Sequence, residues 1–198
     1  MFRGAGTIKL PSLHKEAADL DILAHALYGV TLFSRSGLAG GRHGVKPTDG
    51  PMIRDWTLWA AAGFSILPDM SSIGVYFSQM LIRGDSPSFH ALPSYVFVLY
   101  HFTHSLMSAG LILLVLGLMA RPLVIPALGW PLHILMDSFS HNSGRFQTLI
   151  FYPVSDWHFH GVNWWQSPEL MMLYWGILPI LWVGLTVWRW QGNRVKHA

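Results

Sequence analysis

Apolar runs alternate along this chain with short polar turns that carry glycine or proline. Glu16–Phe33 predicts a first helix, with His25 inside ILAHALYGVTLF, and it is short for a full membrane span. Ser34–Gly50 is rich in Gly, Lys and Arg and reads as a loop. Pro51 suits the first turn of a second helix, which runs through DWTLWAAAGFSIL and is expected to stop at Pro68-Asp69. Met70–Ser94, with Gly74, Gly84, Pro87 and Pro93, reads as irregular. Tyr95–Met119 is the longest apolar run, interrupted by His101 and His104. At about 1.5 Å per residue it predicts a helix able to cross a ~30 Å hydrocarbon core. Leu123–Ser140 predicts a fourth helix, bent near Pro126 and Pro131. Leu170–Trp188 is a second clear span. The remainder is a basic N-terminal segment (1–15), an aromatic loop (142–168) and a basic tail (189–198). The expected architecture is one all-α domain over residues 1–198, a polytopic membrane bundle of about five helices.

The polar residues inside these runs carry the functional signal. In GWPLHILMDSFSH, residues 129–141, His133, Asp137 and His141 recur at intervals of four, so a helix would place them on one face. His101 and His104 form a second pair, three apart. Asp69 follows the second apolar run. If consecutive helices alternate in direction, Asp69, His101, His104, Asp137 and His141 fall at one membrane face, with His25 on the same side. That face would carry five basic residues, Arg3, Lys9, Lys15, Arg83 and Arg145, and the opposite face eight. The excess of positive charge points the site toward the exterior or periplasm.

Composition sharpens this picture. The chain has 198 residues, 52% hydrophobic and only 12% charged, with ten Trp. Its mean hydropathy is +0.36. That balance fits an integral membrane protein, and the net charge of +3 fits contact with anionic lipid headgroups. Trp157, Trp164, Trp165 and Tyr152 read as an interfacial aromatic belt, with His158 and His160 in the same loop. No basic run interleaved with aromatics suggests nucleic acid. There is no cysteine, so any metal must be held by His, Asp or Glu, which suits zinc and related divalent ions. A single buried His is more often a hydrogen-bonded core residue than a ligand. Several ionisable groups together at membrane depth are rare and usually functional. The candidate ligands are His25, Asp69, His101, His104, His133, Asp137 and His141, enough for one or two ions, with Thr103 and Ser105 placed to orient imidazoles. A zinc-type ion lowers the pKa of bound water to about 7, and Asp69 or Asp137 could act as general base. Two ions would suit phosphoester cleavage. No GxSxG or phosphate-binding glycine motif offers a different chemistry.

YHFTHS (100–105), LPD (67–69), WPLHILMDSFSH (130–141) and YPVSDWHFHGVNW (152–164) resemble a group of bacterial integral membrane proteins. That group is similar to the broader family of inner-membrane metal-dependent hydrolases of the YdjM type, and more remotely to zinc-dependent phospholipase C. The resemblance covers about His25 to Trp165 and implies metal ligation by His25, Asp69, His101 or His104, His133 and Asp137. It also implies a bacterial inner-membrane location and a hydrolytic activity. The chain departs from the broader family at Met70-Ser71, where a second acid is common, and in the short spacing from His101 to His104. The expectation is therefore a membrane-embedded zinc-type hydrolase acting on an ester or phosphoester of a lipid-like substrate. The rival is a non-enzymatic subunit of a membrane complex, its histidines serving structure or porphyrin ligation. An ion transporter would spread its polar groups through the membrane depth, whereas these gather toward one face.

Overall fold

The computed structural model describes residues 11–40, 51–86, 88, 92–141, 144–163 and 167–196, with side chains between 21 and 188. Helix α1 spans Pro11–Phe33 and so begins earlier than the apolar pattern predicts, taking in part of the basic N-terminal segment. Helix α2 spans Trp56–Met70 and continues through Pro68 to its C-terminal turn. Asp55 caps α2, accepting from the Thr57 amide at 3.1 Å and the Thr57 hydroxyl at 2.7 Å, while Ser36 donates to its other oxygen at 3.0 Å. This ties the loop after α1 to the start of α2. Burial pushes the Asp55 carboxyl up, and the bonds from Thr57 and Ser36 more than reverse that, holding it below the usual carboxylate range. A depressed folded-state value makes the stabilisation full above about pH 4 and lost as the pH falls through the folded value. Asp55→Ala should cost about 1 kcal/mol near neutral pH. In denaturant unfolding, the gap between wild type and variant should close below that pH.

Two predicted elements differ in the structure. The stretch expected to be irregular contains helix α3, Ile73–Arg83, ended by Gly84 in a left-handed conformation (φ 76°). Its glycines sit at helix ends, Gly74 in the first turn and Gly84 as the cap, where they do not oppose a helix. The predicted third helix is two helices, α4 at Ser94–Thr103 and α5 at Leu106–Met119, bent by 57° at His104-Ser105. No Pro or Gly marks the break. Ser105 makes it, because its hydroxyl accepts from the Met107 amide at 3.1 Å and starts a new helix. Backbone groups freed at the bend find partners. Leu106 N–H donates to Ile150 O at 2.8 Å, Ser105 Oγ donates to Tyr152 O at 2.6 Å, and Trp130 Nε1 donates to Thr103 O at 2.8 Å.

The chain then turns through a short 3-10 segment, Arg121–Leu123, into α6 (Val124–Ala127) and α7 (Gly129–Ser140). Helix α8, Pro168–Lys196, carries on through most of the predicted basic tail. No strand forms among the described residues; a single antiparallel bridge joins Leu149 and His158. Trp164 and Trp165 of the expected aromatic belt lie outside the described residues. Arg121–Ser140 and Pro168–Trp188 are long and apolar enough to cross a membrane. Counting each bent pair, α2 with α3 (74°) and α4 with α5, as one span raises the number to four. Asp21–Phe33 is apolar but shorter. The all-α expectation holds, with two to four candidate spans where about five were expected.

Helix α2 is the hub, packed against α1, α6 and α7. Gly29 of α1 and Gly129 of α7 both abut Ser65 and the Ala61 carbonyl of α2, where a Cβ on either would collide. Small residues let helix backbones approach closely, the usual means of packing in lipid. Helix α8 docks on α1 and α7 through Tyr28, Met136 and Leu178. Tyr28 donates to Tyr174 O at 2.7 Å, and Tyr174 donates to Met136 O at 3.2 Å. Large apolar side chains such as Leu114, Leu118, Ile180 and Val183 face outward.

Candidate metal centre

The close approach of α1, α2 and α7 brings ionisable side chains together inside the bundle. His133 lies in the second turn of α7, and its Nδ1 donates to Ser65 O of α2 at 2.7 Å. His104 sits at the α4–α5 bend, its Nδ1 donating to Tyr100 O at 2.9 Å and its ring stacked on Tyr100 at 3.7 Å. Thr103 Oγ1, 3.1 Å from the same nitrogen, supports that orientation. A carbonyl only accepts, so the hydrogen-bond network assigns the proton to Nδ1 in both rings. In the neutral form of that tautomer, each ring would turn the lone pair of Nε2 inward. The two Nε2 atoms face one another at 3.1 Å.

Two carboxylates complete the group. Asp137 Oδ2 lies 3.2 Å from each Nε2, and Asp137 is 2% exposed. Asp69, 14% exposed, brings Oδ1 to 3.3 Å from His104 Nε2 and 3.8 Å from His133 Nε2. One donor atom from each of these four residues lies within 4.8 Å of the others. Four electron-rich atoms this close repel one another unless a cation or shared protons stand among them. Bonds of about 2.0–2.1 Å around tetrahedral zinc put neighbouring ligands about 3.3 Å apart. Five of the six donor separations, at 3.1, 3.2, 3.2, 3.3 and 3.8 Å, scatter around that edge. The donor set, two imidazoles and two carboxylates, suits a divalent ion of the zinc type, and its two negative charges would balance the ion. This buried group could hold a metal ion.

The sequence-predicted residues divide. Asp69, His104, His133 and Asp137 converge on one point. His25 lies across Asp137, its Nε2 3.0 Å from Oδ1. His141 ends α7, with Nδ1 3.7 Å from the same oxygen and 3.2 Å from Ser140 Oγ. His101 stands apart from the cluster. Its ring rests 5.5 Å from that of Tyr152. The expected pairing of His101 with His104 does not form. His101 lies in the last turn of α4 and His104 caps it, but positions three apart are offset around a helix, and the His104 ring meets His133 while the His101 ring meets Tyr152. Asp21 was missed, yet it carries a signal: Asp21 and His25 share the four-residue spacing of His133 and Asp137. The strict alternation of spans is replaced by two bends, one just after Asp69 and one at His104.

Fold and site together define an all-helical bundle with two to four candidate membrane spans and a buried His/Asp group able to hold a metal. No protein-family model, curated protein or solved structure matches the chain.

Proposed function

We propose that the protein is a membrane-embedded metal-dependent hydrolase acting on an ester or phosphoester of a lipid-like substrate. The observation that carries this reading is the convergence of His104, His133, Asp137 and Asp69 among apolar helices, one donor atom of each within 4.8 Å of the others. A zinc-type ion held there would lower the pKa of a bound water to about 7. His104, His133 and Asp137 are the tight donors, within 3.2 Å of one another, and their burial keeps them fixed. Asp69 makes the longest of the approaches and is the most exposed of the four. It is therefore the group that yields room for water and accepts its proton. The Ser65 and Tyr100 carbonyls hold the two imidazoles in the ligating tautomer.

The surroundings support a lipid-like substrate. The loop after α7 carries exposed Phe151, Val154, Trp157 and Phe159. It is anchored beside the centre by Leu106 N–H to Ile150 O at 2.8 Å and Val162 N–H to Phe139 O at 2.9 Å. Aromatic side chains of this kind settle at the headgroup level of a bilayer. The crowding of the donor atoms, all within 4.8 Å, weighs against a porphyrin between them.

The test uses full-length protein in detergent with a chromogenic phosphodiester and a short-chain phospholipid. Metal should co-purify, a chelator should abolish hydrolysis, and zinc should restore it. Asp69→Asn should retain metal and lose at least about 100-fold in kcat. Hydrolysis indifferent to chelation would overturn the proposal.

A further inference from the structure

Asp137 presents its two oxygens to different neighbours. Oδ2 belongs to the centre described above. Oδ1 points the other way, 3.0 Å from His25 Nε2. Asp21 Oδ1 reaches the same nitrogen at 3.5 Å. One donor atom from each of Asp21, His25 and Asp137 lies within 4.8 Å of the others. His141 Nδ1, 3.7 Å from Asp137 Oδ1, borders this position on the rim.

The polar bookkeeping of His25 singles it out. The residue is 1% exposed, and neither ring nitrogen has a hydrogen-bond partner; nor does Asp137 Oδ1. The approach of Nε2 to Oδ1 is short but lacks the alignment of an N–H donor with its acceptor. Two buried electron-rich atoms this close, with no aligned hydrogen bond between them, are costly unless a proton or a cation is shared. A cation shared by the two atoms satisfies both. The His25 ring also packs on that of His133 at 3.9 Å, so the two groups meet around a single carboxylate. Helix α1 is held in this register by Gly29 against Ser65, one turn beyond His25.

We infer that Asp21, His25 and Asp137 hold a second divalent ion, with Asp137 bridging it to the first centre through its two oxygens. The inference rests on the first centre being a metal site. It narrows the substrate class as well. Paired ions about 3.5–4 Å apart clamp the attacking and leaving oxygens of a displacement at phosphorus. A phosphoester of a lipid-like molecule is then the preferred substrate over a carboxyl ester.

Manganese(II) titration of the full-length protein in detergent, followed by electron paramagnetic resonance, tests this directly. Wild type should bind about two ions per chain, and the second should broaden the six-line spectrum of the first through exchange coupling. Asp21→Asn and His25→Ala should each bind about one ion, with an uncoupled spectrum. If His25→Ala fails to fold, Asp21→Asn carries the test, since Asp21 lies at the rim with 12% exposure. A single ion in wild type would overturn the second position and leave the first standing. No ion in wild type would overturn both. Two coupled ions retained in both variants would overturn the assignment of Asp21 and His25.

Discussion

Protein carrying both His133→Ala and Asp137→Ala should purify with metal content at background, against at least one ion per chain in wild type. The two side chains supply two of the four donor atoms of the centre, at 3.2 Å from one another. Loss of an outer partner alone typically weakens a metal site about 10–100-fold, and here two direct donors are removed. Asp137 also faces His25 and His104, so its removal leaves His25 with Asp21 alone and His104 with Asp69 alone. Hydrogen-bonded ion pairs within the cluster could exist without any metal, and breaking them would also destabilise the fold by about 3–5 kcal/mol. Thermal unfolding separates the two accounts. Zinc at 100 times its dissociation constant should stabilise wild type by about 2.7 kcal/mol and leave the double variant unmoved. Metal content unchanged by the two substitutions would remove the basis for any metal chemistry here.

Gly29→Val should damage the fold and the cluster together, although it lies outside the donor set. A Cβ at residue 29 meets Ser65 Oγ, and it comes to 2.9 Å from both the Ala61 carbonyl oxygen and Ser65 Cβ. The serine hydroxyl can rotate away, but the backbone carbonyl cannot. Overpacking of this kind costs about 1–3 kcal/mol, and the branched side chain lies at the upper end. The effect would extend to the metal, because Ser65 O is the acceptor that orients His133. Separating α1 from α2 therefore shifts an imidazole that the substitution never touches. Gly63 supplies the control on α2, since a Cβ there meets nothing within 4 Å. Gly63→Ala should be neutral or stabilising by up to about 1 kcal/mol. Unfolding midpoints and bound zinc, measured on both variants, check the pair; equal behaviour of the two would show that the α1–α2 approach does not matter.

Much of this was legible in the sequence. Apolar runs of span length, low charge and absent cysteine determine an all-helical, membrane-compatible chain whose metal ligands can only be His, Asp or Glu. The spacing of four between His133 and Asp137 was enough to pair them, because helix geometry is local and α7 is helical throughout that stretch. The spacing of three between His101 and His104 did not pair them, because the offset around α4 gives the two rings different neighbours, and the break at Ser105 that follows was not foreseen either. A serine hydroxyl competing for a backbone amide gives little signal in an apolar run. The bend becomes tolerable only when Ile150 and Trp130 arrive from distant parts of the chain to satisfy the freed backbone, and Tyr152 to accept from the Ser105 hydroxyl. Asp21 remained hidden for a related reason. Its spacing to His25 was visible, but its approach to the far side of Asp137 depends on α1 lying against α2 and α7. Residue type and helical period were thus determined by the sequence alone. Which of those residues share a donor set was decided by the tertiary structure, because convergence of four atoms to within 4.8 Å depends on how helices cross.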